Sequence, residues 1–244
     1  MQRLETSPRR EADARRLAAW RRRLERRRQV LDLPITIPGA ARAYSIAVPA
    51  NPDAVLDELM APDPHMPYWA TPWASGLALA ELLLVRRGAL TGRRALELGC
   101  GLGITATAAA EVGLDVTASD CFAEALAYTG YNALRNAGQS VHTLLVDWRT
   151  PEGRIALAGP REVDLVLAAD VLYEAEDIPP LLELLSRLLH QGSQVWLAEP
   201  GRATSTRFVD EARAVWTVET EEVERVWPAA AGYAKVRLHT ITPR

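Results

Sequence analysis

Glu97 stands two residues ahead of three glycines at alternate positions, Gly99, Gly101 and Gly103, in a stretch that reads LELGCGLGIT. A short apolar run precedes this stretch and small, helix-compatible residues follow it. The turn therefore joins a buried strand to a helix, and its glycines let the backbone pass close to a bound molecule. A dinucleotide turn is spaced G-x-G-x-x-G and offers a helix N-terminus to a pyrophosphate. Here the spacing is E-x-G-x-G-x-G, and an acid just before the glycines repels a pyrophosphate and suits a cation. Roughly twenty residues downstream, Asp120 closes a second apolar run, where a carboxylate can accept hydrogen bonds from both hydroxyls of a ribose. A ribose-bearing, positively charged ligand without phosphates is S-adenosylmethionine.

Four further segments carry side chains suited to the same site. PYWATPWASGLALAELLL, residues 67–84, gathers Tyr68, Trp69 and Trp73 in a proline-interrupted stretch ahead of the glycine loop. VDWR, residues 146–149, offers Trp148 to stack on an adenine and Asp147 to meet its amino group or the loop backbone. AADVLYE, residues 168–174, closes a fourth apolar run, and EPGR, residues 199–202, follows a fifth. In the last of these, Arg202 is a candidate to cap the carboxyl end of the fifth strand.

The glycine loop, the acid ending the second strand and a C-terminal pair of antiparallel strands resemble the class I, seven-strand methyltransferases over residues 90–244. With the aromatic segment added, residues 67–244 are similar to the seven-strand protein methyltransferases that modify lysines on non-histone proteins. Within that family the likeness is to the electron-transfer-flavoprotein β-subunit lysine methyltransferases. Those enzymes carry P-Y-W-A-x-x-W-x-x-G-x-x-L, D-x-x-Y/F and D-P-G-R motifs, matched here by PYWATPWASGLAL, by Asp170 to Tyr173 as DVLY, and by EPGR. The chain departs at Glu199, where the group has Asp, so a shared substrate does not follow from the likeness.

The resemblance implies that Trp73, Gly99, Gly101, Asp120, Trp148 and Ala169 contact the cofactor, and that Asp170 and Tyr173 face the nucleophile. The glycines and Asp120 follow from the chemistry as well, and the spacing adds Glu97 and Gly103 to the cofactor side. Tyr68, Trp69 and Glu199 fall on the substrate side. Methyl transfer from a sulfonium is a direct displacement, so the main task is to hold nucleophile, methyl carbon and sulfur in line. A lysine must first lose its proton, which from a pKa of about 10.4 to pH 7.4 costs roughly 4 kcal/mol. An aromatic rim of Tyr68, Trp69 and Tyr173 lowers that cost by disfavouring the ammonium. Asp170 pulls the other way and is assigned to capture and orientation.

Two alternatives stay open at this point: a small-molecule N-methyltransferase, and a cofactor-binding scaffold without catalysis that acts through its basic helix. A nucleic-acid base methyltransferase is not favoured. Enzymes acting on exocyclic amines carry N/D-P-P-Y/F where this chain reads ADVLY, and Cys100 and Cys121 lie away from the position of a C5-cytosine nucleophile.

Positioning these residues requires alternating strands and helices. Strands are expected over 94–98, 114–119, 141–146, 163–169 and 192–198, with helices near 103–112, 122–137 and 178–190. Val215 to Arg225 and Tyr233 to Thr242 read as two antiparallel strands joined by a turn at 227–232. The fold class is α/β, a Rossmann-like methyltransferase fold with a seven-stranded, mostly parallel sheet, an antiparallel C-terminal hairpin and helices on both faces. Upstream, a helix is expected over 9–31 with Leu17, Trp20, Leu24 and Leu31 near one face. A small hairpin follows over 35–48 around Pro38–Gly39–Ala40, then a short helix over 51–60, a proline-rich loop over 61–67 and an apolar helix over 77–85. This divides the chain into a basic helical extension (1–32), a cap with the hairpin and aromatic segment (33–89) and the cofactor-binding domain (90–244).

The 244 residues are 48% hydrophobic and 24% charged, ordinary for a globular protein. No run approaches the roughly 20 apolar residues that span a bilayer, and no secretory leader is visible, so no membrane association and a cytoplasmic location are expected. Cys100 and Cys121 form no disulfide framework, and His65, His142, His190 and His239 lack metal-ligand spacing, so no metal is expected. The charge is uneven: residues 1–30 hold eleven arginines against four acids, a net +7 within a whole-chain charge of −3. That segment suits an acidic docking surface on a protein substrate bearing the acceptor lysine, or is a solvated helix packed on its own domain.

Overall fold

The computed structural model describes residues 8–58, 66–159, 162–226 and 233–244. The elements run α1 (Pro8–Glu25), β1 (Val30–Ile35), β2 (Tyr44–Pro49), α2 (Pro52–Glu58), α3 (Ala74–Val85), β3 (Arg94–Leu98), α4 (Ile104–Glu111), β4 (Asp115–Asp120) and α5 (Ala123–Ala137). They continue through β5 (His142–Leu145), α6 (Pro151–Leu157), β6 (Leu165–Ala169), α7 (Ile178–Leu188), β7 (Gln194–Glu199), α8 (Ala203–Val215), β8 (Thr217–Val226) and β9 (Tyr233–Thr242). Residues 61–65 of the proline-rich loop and the expected turn at 227–232 lie outside the described residues.

The seven-stranded sheet has the order β5-β4-β3-β6-β7-β9-β8. β3 to β7 pair in parallel, whereas β9 runs antiparallel to both β7 and β8, as the sequence pattern requires. Successive strand residues point to opposite faces. Ala95, Leu165, Leu167, Trp196 and Ala198 accordingly join one core with α3, α4 and α5, while Leu96, Leu98, Val166, Val195 and Leu197 join another with α7 and α8. Burial on both faces explains why these strands read as continuous apolar runs.

The N-terminal segment differs from the expectation. The helix ends at Glu25, and Val30–Ile35 forms a strand paired with β2 in the register Val30↔Pro49, so the hairpin begins five residues earlier than its sequence suggested. Leu31, on that strand, is exposed rather than part of the helix's apolar face. Helical propensity is a weak prior, and here a strand partner overrides it. α1 packs on α5: Leu24 is buried, and the Trp20 indole sits where a Cβ on Gly130 would come within 2.5 Å of it. Arg28 closes the joint with ion pairs to Glu124 at 2.6 Å and Glu58 at 2.9 Å. The hairpin is held to α5 by the Asn132 amide, which accepts from the Ala47 N–H at 2.8 Å and donates to the Ala47 and Leu102 carbonyls at 3.1 and 2.9 Å.

Two helices were not anticipated. α6 is short and holds Gly153 in its first turn, yet Thr150 caps it by accepting the Gly153 N–H at 3.0 Å. α8 follows directly on the EPGR turn and buries Phe208, Val209 and Ala212 along one side.

Candidate functional site

In a parallel sheet a crevice opens where the chain leaves one strand in one direction and its neighbour in the other. β3 is that point here, with β4 on one side and β6 on the other. Above the carboxyl ends of these strands lies a cavity of about 550 Å³.

The glycine loop forms its floor. Gly99, Gly101 and Gly103 all have positive φ, at 66°, 52° and 74°. The Gly101 N–H donates to Asp120 Oδ2 at 3.0 Å and the Cys100 N–H to the Ser119 carbonyl at 3.0 Å, so the loop is tied to the end of β4. A Cβ on Gly101 would lie 3.4 Å from the Trp69 carbonyl oxygen, which places the aromatic segment directly against the loop. Gly103 differs from the expectation. It does not line the cavity, and a Cβ there would lie 2.6 Å from Thr129 Cα, so its task is to let α4 and α5 approach.

Glu97 and Asp120 both line the cavity. Glu97 is 2% exposed, and its Oε2 has no hydrogen-bond partner among the described residues. Burial, aided by the charge of Asp120, pushes its carboxyl up to about 8. Asp120 is also raised by burial, an effect that its hydrogen bonds from the Gly101 and Phe122 N–H groups only partly offset. An orphaned buried carboxylate oxygen beside a backbone cradle is an environment that a cationic ligand completes.

Trp148, Asp147 and Ala169 line the same cavity. One face of the Trp148 ring is covered by the Arg149 guanidinium at 5.0 Å. Arg149 is in turn bonded to Asp177 at 2.6 Å, whose other oxygen accepts the N–H groups of Tyr173 and Glu174 at 3.1 and 3.0 Å. Sequence reasoning missed Arg149 and Asp177. The capping box of Glu174 and Asp177 at the turn before α7 is the signal that could have located the latter.

At the opposite wall, Tyr68 packs against Tyr173 with ring centroids 5.0 Å apart and against the edge of Trp73 at 6.2 Å. Trp73 donates its indole N–H to the Tyr68 carbonyl at 2.8 Å. Trp69 lines the cavity but is largely buried against Tyr128, with centroids 5.4 Å apart, so it serves the core as much as the rim. Asp170 directly follows β6 with φ 56°, the one positive φ outside glycine among the described residues. Its N–H donates to the Ala198 carbonyl at 2.8 Å, and its buried carboxylate accepts from the Arg202 guanidinium. This backbone conformation sets a buried acid on the lining of the cavity.

Glu199 is a correction. It does not line the cavity and is 2% exposed. Its Oε2 accepts from the Gly201 and Arg202 N–H groups at 2.5 and 3.2 Å, and its Oε1 faces His239 Nε2 at 3.2 Å. Three donors hold the carboxylate behind the turn, outside the lining of the cavity.

Among the described residues no three His, Cys, Asp or Glu side chains gather as a metal site, and no helix is long and apolar enough to cross a membrane.

A family model described as lysine methyltransferase matches residues 70–214. The chain is 32% identical over 138 residues to the electron transfer flavoprotein beta subunit lysine methyltransferase of Xenopus laevis, covering 56% of this chain and 54% of that one. It thus spans about half the length of that relative. It is 30% identical over 152 residues to the protein N-lysine methyltransferase METTL21A of Danio rerio, covering 62% of this chain and 69% of that one. It is also 27% identical over 173 residues to the histone-arginine methyltransferase METTL23 of Mus musculus, covering 68% of each. Among solved structures, the N-methyltransferase NodS of Bradyrhizobium japonicum, in complex with S-adenosyl-L-homocysteine, aligns with a TM-score of 0.56 at 15% identity. That alignment covers 77% of this chain and 96% of that one, a likeness of fold.

Proposed function

The chain belongs to the lysine methyltransferase family, and on that ground we propose that it transfers a methyl group from S-adenosylmethionine to the side-chain amine of a lysine on a protein. The observation that carries this reading is that one cavity is lined both by Glu97, Gly101 and Asp120 and by Asp170 and Tyr173. A cofactor half and an acceptor half therefore share one cavity.

The donor set fits the cofactor. Asp120 would take the ribose hydroxyls, the glycine loop would pass beneath the ligand, and the unpartnered Glu97 oxygen would meet its cationic portion. Trp148 and Ala169 would flank the base, with Trp73 closing from the aromatic segment. S-adenosylmethionine, when bound, supplies an electrophilic methyl group on sulfur. The chain's part is to present the nucleophile in line and in its neutral form. Desolvation among the rings of Tyr68 and Tyr173 works against an ammonium there, a cost that cation–π attraction only partly offsets.

On the partner side, Arg22, Arg23, Arg26 and Arg27 are exposed and, among the described residues, carry no ion pair, unlike Arg21 and Arg28 beside them. This supports an acidic docking surface on the substrate protein, engaged away from the chemistry. The deciding experiment is incubation with methyl-labelled cofactor and lysate, followed by mass spectrometry of the labelled species. Label on protein lysine is the expected result. Label on arginine, on small molecules alone or on nucleic acid would each overturn the lysine reading.

A further inference from the structure

Asp170 sits at the acceptor wall, yet a bare carboxylate there works against the reaction. A neighbouring negative charge stabilises the ammonium form of an amine, in which the lone pair needed for attack is occupied by a proton. Nor can Asp170 turn away: its backbone is fixed in the left-handed region with its N–H on the Ala198 carbonyl, and its side chain is 4% exposed.

The guanidinium of Arg202 meets that carboxylate. Arg202 is bound to no other carboxylate among the described residues, and its guanidinium also lies 5.0 Å over the Tyr173 ring. One cation therefore touches both Asp170 and Tyr173, the two polar residues of the DVLY motif, which line the cavity. Its own placement is fixed from behind. The backbone N–H groups of Gly201 and Arg202 both donate to Glu199 Oε2, and Gly201 makes the turn with φ 90°. Glu199 Oε1 is held by His239 Nε2 at 3.2 Å, and His239 Nδ1 by Thr220 Oγ1 at 2.9 Å. Glu199 and His239 are 2% and 3% exposed, inside the β7-β9 ladder. Although burial alone would raise it, the His239 and Gly201 hydrogen bonds hold the Glu199 carboxyl below its ordinary value, as an acceptor of two backbone donors requires.

We propose that Arg202 neutralises Asp170 at the acceptor position, and that the buried Glu199–His239 pair is the positioning device that presents Arg202 there. The acceptor amine then meets an aromatic wall with a balanced charge and reaches the methyl group as the free base. Arg202 and Glu199 are positioning residues in this scheme. The inference rests on the amine-methylation reading, and it explains why EPGR, distant in sequence from DVLY, lies against it.

The test uses the full chain saturated with S-adenosylhomocysteine and two small probes of one shape, n-butylammonium and n-butanol, with each affinity measured by NMR titration at pH 7. The readout is the ratio of the two affinities, which a general loosening of the site would not move in favour of the cation. Arg202→Gln is expected to raise the preference for butylammonium by about tenfold or more, the scale of one charge beside a carboxylate. Arg202→Lys is expected to restore the wild-type ratio, and Glu199→Gln to give an intermediate one. Asp170→Asn, which leaves Arg202 uncompensated, should move the ratio below wild type and remains decisive should Arg202→Gln not fold. An unchanged ratio in Arg202→Gln or in Asp170→Asn overturns the proposal while leaving the methyltransferase reading intact. Failure of the wild-type protein to bind S-adenosylhomocysteine overturns that reading, and this inference with it.

Discussion

At the scale of single residues, Glu97 links pH to both stability and ligand binding. Its carboxyl titrates near 8 in the folded protein against an ordinary value of 4.5. Between those values the unfolded chain ionises Glu97 while the folded chain keeps its proton. This contribution to stability is therefore complete below about 4.5 and is lost as pH rises through 8. Glu97→Gln should remove the dependence, so that denaturant unfolding finds the variant gaining on wild type between pH 6 and pH 8 by on the order of a few kcal/mol. A cation bound beside Glu97 favours its ionised form. Calorimetry of S-adenosylmethionine in buffers of different ionisation enthalpy should then show a proton released near pH 7, and none in Glu97→Gln. Asp120 acts differently, because it already holds the Gly101 and Phe122 N–H groups. Asp120→Ala should weaken cofactor binding by about 1.5–3 kcal/mol, the scale of hydrogen bonds to a charged group. An unaltered dissociation constant would remove it from the cofactor's reach.

At the scale of elements, the α4–α5 contact depends on Gly103. Both Gly103 and Gly138 have positive φ, but a Cβ at Gly103 meets Thr129 at 2.6 Å, whereas at Gly138 nothing lies within 4 Å. Gly138→Ala should cost about 1–2 kcal/mol from backbone strain alone. Gly103→Ala should add an overpacking cost of about 1–3 kcal/mol to that, and equal losses in denaturant unfolding would contradict the described packing. The same contact marks how far the sequence could be read. Glu97, Gly101 and Asp120 were legible because strand ends and a glycine turn are local patterns. Gly103 shares that pattern, but its role is set by Thr129 on another helix. Glu199 was misplaced because its orientation is fixed by His239, 40 positions along the chain on β9. Val30 and Leu31 read as the end of the helix because only the pairing of Val30–Ile35 with Tyr44–Pro49 makes them strand. What was lost was pairwise and distant; what was kept was spacing.

At the scale of the whole molecule, α1 with the turn that follows it is both a packed element and the bearer of unpaired charge, and the two roles separate by mutation. Trp20→Ala removes the ring lying on Gly130 and should cost about 2–4 kcal/mol in thermal or denaturant unfolding, less than a fully enclosed tryptophan. Replacing Arg22, Arg23, Arg26 and Arg27 together by Gln should leave stability within about 1 kcal/mol and raise KM for the protein substrate at low salt, with kcat nearly unchanged. The difference from wild type should shrink as salt rises, and a fall in kcat at constant KM would instead tie these arginines to the chemistry. The far side of the sheet imposes a constraint in time. β9 follows β8 in the chain yet lies between β7 and β8, so β8 has no neighbour to pair with until β9 arrives. During vectorial synthesis the parallel strands and the glycine loop can therefore assemble while β8 waits unzipped. His239 arrives with β9, so the turn that carries Arg202 gains its support from Glu199 and His239 among the last events of folding, after the ligand cradle has already formed.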